Sequence, residues 1–239
     1  MKSPGAGFAG RMYRFLRTLF YRFAFGREFP FAGALARVFA LWEGKRGERD
    51  IPVQRKQWEA EYSGGRWDYL EDADELPRYI MLAGYLRHFK EGGAVLDVGC
   101  GKGILQERLG PGAYSRYLGI DISEAALASA ARRQDARTSF LRVEAESYVP
   151  EVLFDVVVFN ETLCYLNEPL EVVERYIRAL KDDGIVIVSS YAASERTMAV
   201  LGRLRAAYSL LDEVTVTSGT KSWICSVFQL TADRVSDSL

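Results

Sequence analysis

In the middle of the chain, short runs of apolar residues alternate with segments in which apolar residues recur at helical spacing. The short runs predict strands that are buried on both faces, at residues 95–98, 117–121, 139–143, 154–159 and 185–189. The other segments predict helices, at residues 75–89, 124–133, 169–180 and 194–208. Gly184 follows a short run of charged residues and is expected to end the third of these helices. Strands that alternate with helices in this order predict a parallel sheet with helices on both faces.

The C-terminal part of the chain follows a different pattern. Apolar and polar residues alternate in segments 213–217 and 223–230, and residues 218–221 (Ser-Gly-Thr-Lys) lie between them. A connection of three to five residues that contains glycine is typical of a hairpin. We therefore expect one antiparallel strand at this end of the sheet.

The most informative run is residues 95–103 (Val-Leu-Asp-Val-Gly-Cys-Gly-Lys-Gly), where an apolar strand meets an acidic residue and alternate glycines follow. Glycine lets the backbone turn sharply and has no Cβ to obstruct a ligand that lies against it. Free amides at the start of the next helix can donate to the same ligand. This D-x-G-x-G-x-G run resembles the first motif of class I S-adenosylmethionine (SAM) dependent methyltransferases.

The resemblance implies SAM as the cofactor and a Rossmann-like, seven-stranded, mostly parallel sheet with one antiparallel strand and helices on both faces. It assigns Gly99, Cys100, Gly101 and Gly103 to the cofactor site. A dinucleotide site is one alternative, although its fingerprint is G-x-G-x-x-G around a pyrophosphate. Asp97 disfavours that anion and favours the cationic amino group and sulfonium of SAM. A tight turn without a ligand is the other alternative.

Acidic residues also follow the next two predicted strands. Asp121 ends the second strand about twenty residues after the glycine run, where a carboxylate can accept both hydroxyls of a ribose. The resemblance assigns the adjacent Ile122 to the cofactor. Glu144 and Ala145 resemble the family's D-A-x segment beside the adenine, so Glu144 would accept from the adenine amino group and Ala145 would leave room for the ring. A solvated loop acid is the alternative for Glu144.

Asn160 and Glu161 follow the fourth strand, at the edge of the sheet where ligands of open α/β folds bind. The resemblance places this segment beside the methionine half of SAM and the acceptor, so Asn160 is assigned to the cofactor site. Glu161 is the candidate catalytic base or the group that holds a cationic amine, and Tyr165 would shape the acceptor pocket. The alternatives are a turn cap for Asn160 and a helix-start charge for Glu161.

An aromatic segment precedes the glycine run and contains Trp58, Tyr62, Trp67 and Tyr69. It resembles the W-x-x-x-Y…G-x-W-x-Y-L…R-Y segment of bacterial methyltransferases linked to sugar and polysaccharide biosynthesis, which forms a lid over the SAM and acceptor pocket. In that arrangement Arg78 would pair with the SAM carboxylate. The alternatives are that the aromatic residues only pack the first helix onto the sheet and that Arg78 pairs with Asp74 or Glu75.

The first 43 residues differ in charge from the rest of the chain. Lys2 and six arginines stand against Glu28 alone before Glu43, although the whole chain has a net charge of −1. Apolar residues at helical spacing lie opposite arginines, which is typical of a helix in a membrane interface. Neither this helix nor the apolar segment 31–42 is long enough to span a bilayer. Packing against the catalytic domain or a second subunit is the alternative, with a transit peptide third.

The chain is thus expected to contain a basic amphipathic arm (residues 1–43), a charged linker (44–54) and a class I methyltransferase domain (55–239). Its 239 residues and 49% hydrophobic content suit a globular enzyme, and the net charge argues against a nucleic-acid partner. Cys100, Cys164 and Cys225 have no metal-ligand spacing and suit a reduced, cytoplasmic protein. The single histidine, His88, lies near a helix end and has no catalytic partners in the sequence.

The predicted function is transfer of a methyl group from SAM to a nitrogen or oxygen of a small-molecule acceptor, such as a sugar, an amine or a lipid-linked compound. No metal is expected. The alternative is a SAM-binding scaffold or regulatory protein that acts at a membrane surface or in a complex. In either case the arm of residues 1–43 would make the peripheral membrane contact or bind a protein partner.

Overall fold

The structure is a computed structural model that describes residues 55–110 and 112–229. The predicted arm (residues 1–43) and linker (44–54) lie outside the described residues. Seven strands form the centre of the described part: β1 (Ala94–Val98), β2 (Arg116–Asp121), β3 (Thr138–Arg142), β4 (Phe154–Asn160), β5 (Leu180–Tyr191), β6 (Ser209–Ser218) and β7 (Lys221–Gln229).

All seven strands belong to one sheet with the order β3-β2-β1-β4-β5-β7-β6. The pairs from β3 to β5 are parallel, whereas β7 runs antiparallel to both β5 and β6. The predicted fold class, a mostly parallel seven-stranded sheet with one antiparallel strand, is therefore confirmed. The strand order reverses between β1 and β4, and open α/β sheets bind their ligands at such a switch point.

Six α-helices accompany the described strands: α1 (Arg55–Ser63), α2 (Leu76–Lys90), α3 (Ile104–Leu109), α4 (Glu124–Ala130), α5 (Pro169–Ile177) and α6 (Glu195–Ala207). Helices α4 and α6 begin after Ser123 and Ser194, whose hydroxyls accept from the amides of Ala126 and Thr197. Serine is favoured at this position because its side chain satisfies an amide that the helix leaves free. Among the residues that the structure describes, no helix is both long and apolar enough to cross a bilayer.

Two apolar layers cover the sheet. Val157 and Phe159 of β4 belong to the layer that contains α5 and α6, whereas Val156 and Val158 belong to the layer that contains α2 and α3. Successive side chains of a strand point to opposite faces, so a strand between two helical layers must be apolar at every position. This arrangement explains the uninterrupted apolar runs of the sequence.

The helix predicted at residues 169–180 is present, but its predicted end is wrong, because Gly184 lies inside a strand. Helix α5 ends at Ile177, and Leu180–Tyr191 form one long strand. Leu180 is paired with Phe154 of β4, whose amide donates to the carbonyl of Ala179 at 2.8 Å. Pairing with the first residue of β4 makes the chain extended from Leu180, three residues after the helix ends. The charged residues 181–183 lie at an irregularity in the β4–β5 register.

The predicted C-terminal hairpin is present, but its turn is shorter than expected. Ser218 pairs directly with Lys221, so only Gly219 and Thr220 lie in the turn. Gly219 has φ = 56°, a left-handed conformation that glycine adopts without strain. Lys221 is consequently the first residue of β7 and not a loop residue, and its side chain is buried.

Candidate active site

A cavity of about 320 Å³ lies at the carboxyl ends of β1, β2, β4 and β5, underneath α1 and the segment that joins α1 to α2. Its size and mixed apolar and polar walls are typical of a small-molecule site. Its walls contain all but two of the residues that the sequence assigns to the site: Arg78, Gly99, Cys100, Gly101, Asp121, Ile122, Glu144, Ala145, Asn160, Glu161 and Tyr165.

The two exceptions are Asp97 and Gly103, which lie outside the cavity wall. Asp97 is buried under the glycine loop and accepts a hydrogen bond from the hydroxyl of Tyr117 at 2.5 Å. Burial raises the pKa of Asp97 to about 7, although the Tyr117 hydrogen bond opposes the shift. Gly103 precedes α3 with φ = 73° and packs near Ala130, so a Cβ at Gly103 would lie 3.0 Å from that side chain.

The glycine loop is shaped by close contacts from two other segments. A Cβ at Gly99 would lie 2.6 Å from Oγ1 of Thr162, which follows β4, and a Cβ at Gly101 would lie 2.8 Å from the hydroxyl of Tyr62 on α1. Both glycines have positive φ, at 75° and 53°. Glycine at these positions thus satisfies the backbone geometry and the contacts at once.

Asp121 supports this loop from the end of β2. Its Oδ2 accepts from the amide of Gly101 at 2.9 Å, and its Oδ1 accepts from the amide of Ser123 at 2.8 Å. Burial raises the pKa of Asp121, while these backbone hydrogen bonds work in the opposite direction. Each carboxylate oxygen has a second lone pair, so Asp121 can still accept from a ligand in the cavity.

Glu161 has an unusual backbone conformation for its residue type. Its φ of 57° is the only positive value among the described residues other than glycine, and such strain is concentrated at functional sites. The conformation turns the carboxylate toward the end of β5, where Oε1 accepts from the hydroxyl of Ser189 at 3.3 Å and Oε2 from the amide of Tyr191 at 3.2 Å. Burial raises the pKa of Glu161, and the nearby Arg78 opposes this shift.

Arg78 joins α2 to the end of β4. Its Nη2 donates to Oε2 of Glu75 at 2.9 Å, and its Nη1 donates to Oδ1 of Asn160. Glu75 is one of the two ion-pair partners, with Asp74, that the sequence indicates for Arg78. The pair with Glu75 is not a surface pair, because both side chains are almost completely buried and both contribute to the cavity wall.

The aromatic residues form one continuous cluster over the cavity. Trp58 stacks on Trp67 with ring centroids 5.3 Å apart, and the ring of Tyr165 meets Trp58 edge-on at 4.9 Å. Tyr62 and Tyr69 join the cluster through Trp67, at 6.0 and 6.1 Å. These side chains therefore pack together and line the cavity at the same time, so the two interpretations of the aromatic segment are compatible.

The carboxylate of Glu59 connects α1 to the start of α4. Glu59 Oε1 accepts from the amide of Glu124 at 2.6 Å, and Oε2 accepts from the amide of Ala125 at 3.0 Å and the hydroxyl of Ser123 at 3.1 Å. These amides belong to the first turn of α4, where backbone N–H groups have no acceptor within the helix. The N-terminus of a helix also favours a nearby negative charge. Although burial works against it, this set of hydrogen bonds lowers the pKa of Glu59.

Glu59→Ala is expected to lower the free energy of unfolding by about 0.5–2 kcal/mol, the usual cost of losing a helix cap. Because the folded state lowers the pKa of Glu59, its contribution is present above the ordinary carboxyl pKa and is lost as the pH falls through the lowered value. Denaturant titrations of the two proteins at neutral and acidic pH measure both effects. A difference that is absent at neutral pH, or that grows on acidification, would contradict this role.

Several residues of the cavity wall were not predicted from sequence, among them Ser189, Ser190, Thr197 and Trp223. Ser189 pairs in register with Asn160, so the rule that ligands bind at strand ends applied to β5 as well as to β4. Ser190 is buried, and its hydroxyl has no hydrogen-bond partner among residues 55–110 and 112–229. His88, as expected, is exposed on α2 and is not part of the wall.

The strand order, the glycine loop after β1 and the acidic residue after β2 together define the class I methyltransferase architecture. A profile of the family described as "methyltransferase domain" matches residues 55–220. The chain belongs to this family, as its sequence motifs predicted.

Two curated relatives illustrate the range of the family. The chain is 31% identical over 138 residues to ubiquinone biosynthesis O-methyltransferase of Neisseria meningitidis, a match that covers 55% of this chain and 56% of the relative. It is 28% identical over 150 residues to the human mitochondrial arginine-hydroxylase NDUFAF5, with coverage of 59% and 40%. The matched region thus spans about half the length of these relatives, and their names show that related chains carry out different reactions.

Solved structures share the fold at lower sequence identity. The N-methyltransferase NodS from Bradyrhizobium japonicum, in complex with S-adenosyl-L-homocysteine (SAH), superposes with a TM-score of 0.60 and 20% identity. The superposition covers 69% of this chain and 91% of NodS. At this level of identity the similarity establishes the fold.

Proposed function

We propose that the chain catalyses transfer of a methyl group from SAM to a nitrogen or oxygen of a small-molecule acceptor. The observation that carries this proposal is that one cavity brings together the glycine loop, Asp121 and Glu161, which lie at the ends of three different strands. The family match and the SAH complex of NodS support SAM as the donor. The named activity of the Neisseria relative supports an acceptor of small size.

The walls of the cavity suggest how SAM would be held. The carboxylate of Asp121 would accept from the ribose hydroxyls, and the backbone of Cys100 and Gly101, which lines the cavity, would pack against the nucleoside. Ile122 and Ala145 offer apolar contacts for the adenine, with Glu144 next to its amino group. Asp121, Ile122, Glu144 and Ala145 lie at the carboxyl ends of β2 and β3, on one side of the glycine loop.

The amino-acid end of SAM would then lie on the β4 side. Arg78 provides a buried guanidinium there for the carboxylate, in a charge-assisted and potentially bidentate contact. Asn160 is held by Arg78 and by the hydroxyl of Ser189 at 2.8 Å, so its amide group is fixed next to the same position.

When bound, SAM would supply an activated methyl group to the lone pair of the acceptor and would leave as SAH. The contribution of the chain is to hold the acceptor in line and to exclude water. Glu161 would take the proton that a hydroxyl acceptor must lose, or would bind the cationic form of an amine before it is deprotonated. The side chains of Trp58 and Tyr165, which line the cavity, would enclose the acceptor, and this fits a sugar, an amine or a lipid-linked compound.

Calorimetry with SAM and SAH is the first test of this proposal, followed by transfer of labelled methyl groups to small-molecule fractions of a cell lysate. Binding of both ligands and labelling of a small molecule are expected. If neither ligand produced heat or raised the melting temperature, the proposal would be wrong. Tight binding without transfer to any fraction would favour the alternative of a SAM-binding scaffold, and binding of NAD in place of SAM would indicate a dinucleotide enzyme.

We also propose that the basic residues 1–43 form an arm that brings the domain, through the charged linker 44–54, to an anionic membrane surface. The opposed arginines and apolar residues of the arm support this role. Full-length protein should sediment with vesicles of anionic phospholipid, less so at high salt, whereas a chain without residues 1–43 should not. Equal sedimentation of the two proteins would contradict the membrane role and leave a protein partner or the domain itself as the target of the arm.

A further inference from the structure

Three charged side chains are buried together at the β4 side of the cavity. Glu75 and Arg78 lie on or just before α2, and Lys221 begins β7, 146 residues after Glu75. Their exposed fractions are 2%, 1% and 2%. Charged residues are seldom buried to this extent unless they are paired.

The carboxylate of Glu75 is shared between the two cations. Its Oε1 accepts from Nζ of Lys221 at 2.8 Å, and its Oε2 accepts from Nη2 of Arg78 at 2.9 Å. Lys221 also lies 5.3 Å from the ring of Tyr69, which belongs to the aromatic cluster over the cavity. The hairpin of β6 and β7 is thereby connected to the aromatic cluster and to α2 by one lysine.

This sharing determines the charge that Arg78 presents to the cavity. A Glu75 that paired with Arg78 alone would neutralise the guanidinium and draw it away from a ligand. With Lys221 on the other carboxylate oxygen, the negative charge of Glu75 is divided between two cations, so Glu75 offsets less of the positive charge of Arg78. The guanidinium is also held in place by Asn160 and by the ring of Tyr79, 4.5 Å away.

Stability alone gives little reason for such a group. Apolar residues of similar volume are often as stabilising as a buried ion pair, because removing charges from water is costly. A role in positioning explains why charges occupy a site between a hairpin and a helix that apolar side chains could fill.

We propose that Lys221 is a positioning residue, which acts through Glu75 to keep the guanidinium of Arg78 oriented and available for the carboxylate at the amino-acid end of SAM. This inference rests on the proposed function, because it needs SAM or SAH as the ligand. It concerns only the carboxylate end. The nucleoside contacts of Asp121 and the glycine loop do not depend on Lys221.

The test compares two ligands that differ at that end. SAH carries the amino-acid carboxylate, whereas 5′-methylthioadenosine has the same nucleoside and thioether without it. Lys221→Met should weaken SAH binding by roughly tenfold or more, as expected for loss of a charge-assisted contact, and should leave 5′-methylthioadenosine binding unchanged. Lys181→Met is the control, because Lys181 pairs with Asp155 at the same distance of 2.8 Å, but its carboxylate partner is not part of the cavity wall, whereas Glu75 is.

Two further variants separate positioning from folding. Lys221→Arg keeps the cation and should keep SAH affinity. The double variant Glu75→Gln with Lys221→Met removes the orphaned carboxylate, so Glu75 no longer competes with the ligand for Arg78 and SAH binding should recover toward the wild-type value. If Lys221→Met does not fold, recovery of SAH affinity in the double variant still supports the proposal. A double variant that binds SAH no more tightly than 5′-methylthioadenosine overturns it.

The remaining outcomes distinguish this inference from the proposed function. Wild-type protein that binds neither ligand would overturn the proposed function and this inference with it. Wild-type protein that binds both, together with a Lys221→Met variant that loses affinity for both equally, would show that Lys221 only supports the fold. Unchanged SAH affinity in Lys221→Met would overturn the inference and leave the proposed function intact.

Discussion

Glu161→Gln is expected to lower the rate of methyl transfer by about 10²- to 10⁴-fold, the usual contribution of a general base, with SAH affinity nearly unchanged. The amide keeps the size of the side chain. Its oxygen can still accept from the Tyr191 amide, and its NH2 can donate to the Ser189 hydroxyl, which also donates to Asn160, so the local structure should be retained. What it loses is the ability to take a proton or to attract a cationic amine. Single-turnover rates with saturating SAM, once an acceptor is identified, measure this effect.

The pH dependence of the reaction provides an independent check. A base must be deprotonated to act, and burial raises the pKa of Glu161. The wild-type rate should therefore rise as the pH passes through a pKa above the ordinary carboxyl value, and Glu161→Gln should remove this rise. An amine acceptor would add its own titration, but that limb would remain in the variant.

Glu195→Gln is the control for this experiment. This substitution makes the same chemical change in the first turn of α6, where Glu195 is exposed and lies outside the cavity wall. It should leave the rate and the pH profile as they are in the wild type. A Glu161→Gln variant with the wild-type rate and the wild-type KM for the acceptor would show that Glu161 takes no part in the reaction.

The residues that the sequence located correctly at the cavity have local signals. Gly99 and Gly101 follow the mainly apolar strand β1, and Asp121 ends the mainly apolar strand β2. The carboxyl ends of parallel strands meet at one edge of a sheet. Knowing the strands was therefore enough to place them together. Glu161 was found in the same way, although its left-handed backbone had no sequence signal, because glutamate rarely adopts it.

Lys221 shows where such reasoning stops. In the sequence it belongs to a Ser-Gly-Thr-Lys turn, and a lysine next to a hairpin turn is normally exposed. Its burial depends on pairing with Glu75, which lies 146 residues earlier in the sequence. Such pairs form only when the tertiary structure brings the two residues together. The boundary between α5 and β5 was missed for a related reason, since Leu180 follows the spacing of the helix but pairs with Phe154 of a strand formed earlier in the chain.

Arg78 illustrates a different point about alternatives. Its pairing with Glu75 and its place at the cavity were considered from sequence as competing interpretations. In the structure the same guanidinium contacts Glu75, contacts Asn160 and contributes to the cavity wall. A five-donor group such as guanidinium can satisfy several partners at once, so an internal ion pair does not exclude a role in binding.

The second large effect is expected for Asp121→Ala, which should weaken SAH binding by roughly 1.5–3 kcal/mol, the cost of losing a hydrogen bond to a charged group. The effect combines two losses, because the carboxylate is both the proposed ribose acceptor and the partner of the Gly101 amide. Calorimetry with SAH and with 5′-methylthioadenosine should show the same loss for both ligands, since both carry the ribose.

Asp135→Ala separates binding from general destabilisation. Asp135 also accepts from an amide two residues later, that of Arg137 at 2.9 Å, but it lies outside the cavity wall. The spacing repeats that of Asp121 and Ser123, so both variants lose the same kind of turn. If both variants lose stability in denaturant titrations but only Asp121→Ala loses SAH affinity, the carboxylate of Asp121 holds the ribose. Unchanged affinity in Asp121→Ala would place the ribose elsewhere in the cavity and would contradict the proposed orientation of the cofactor.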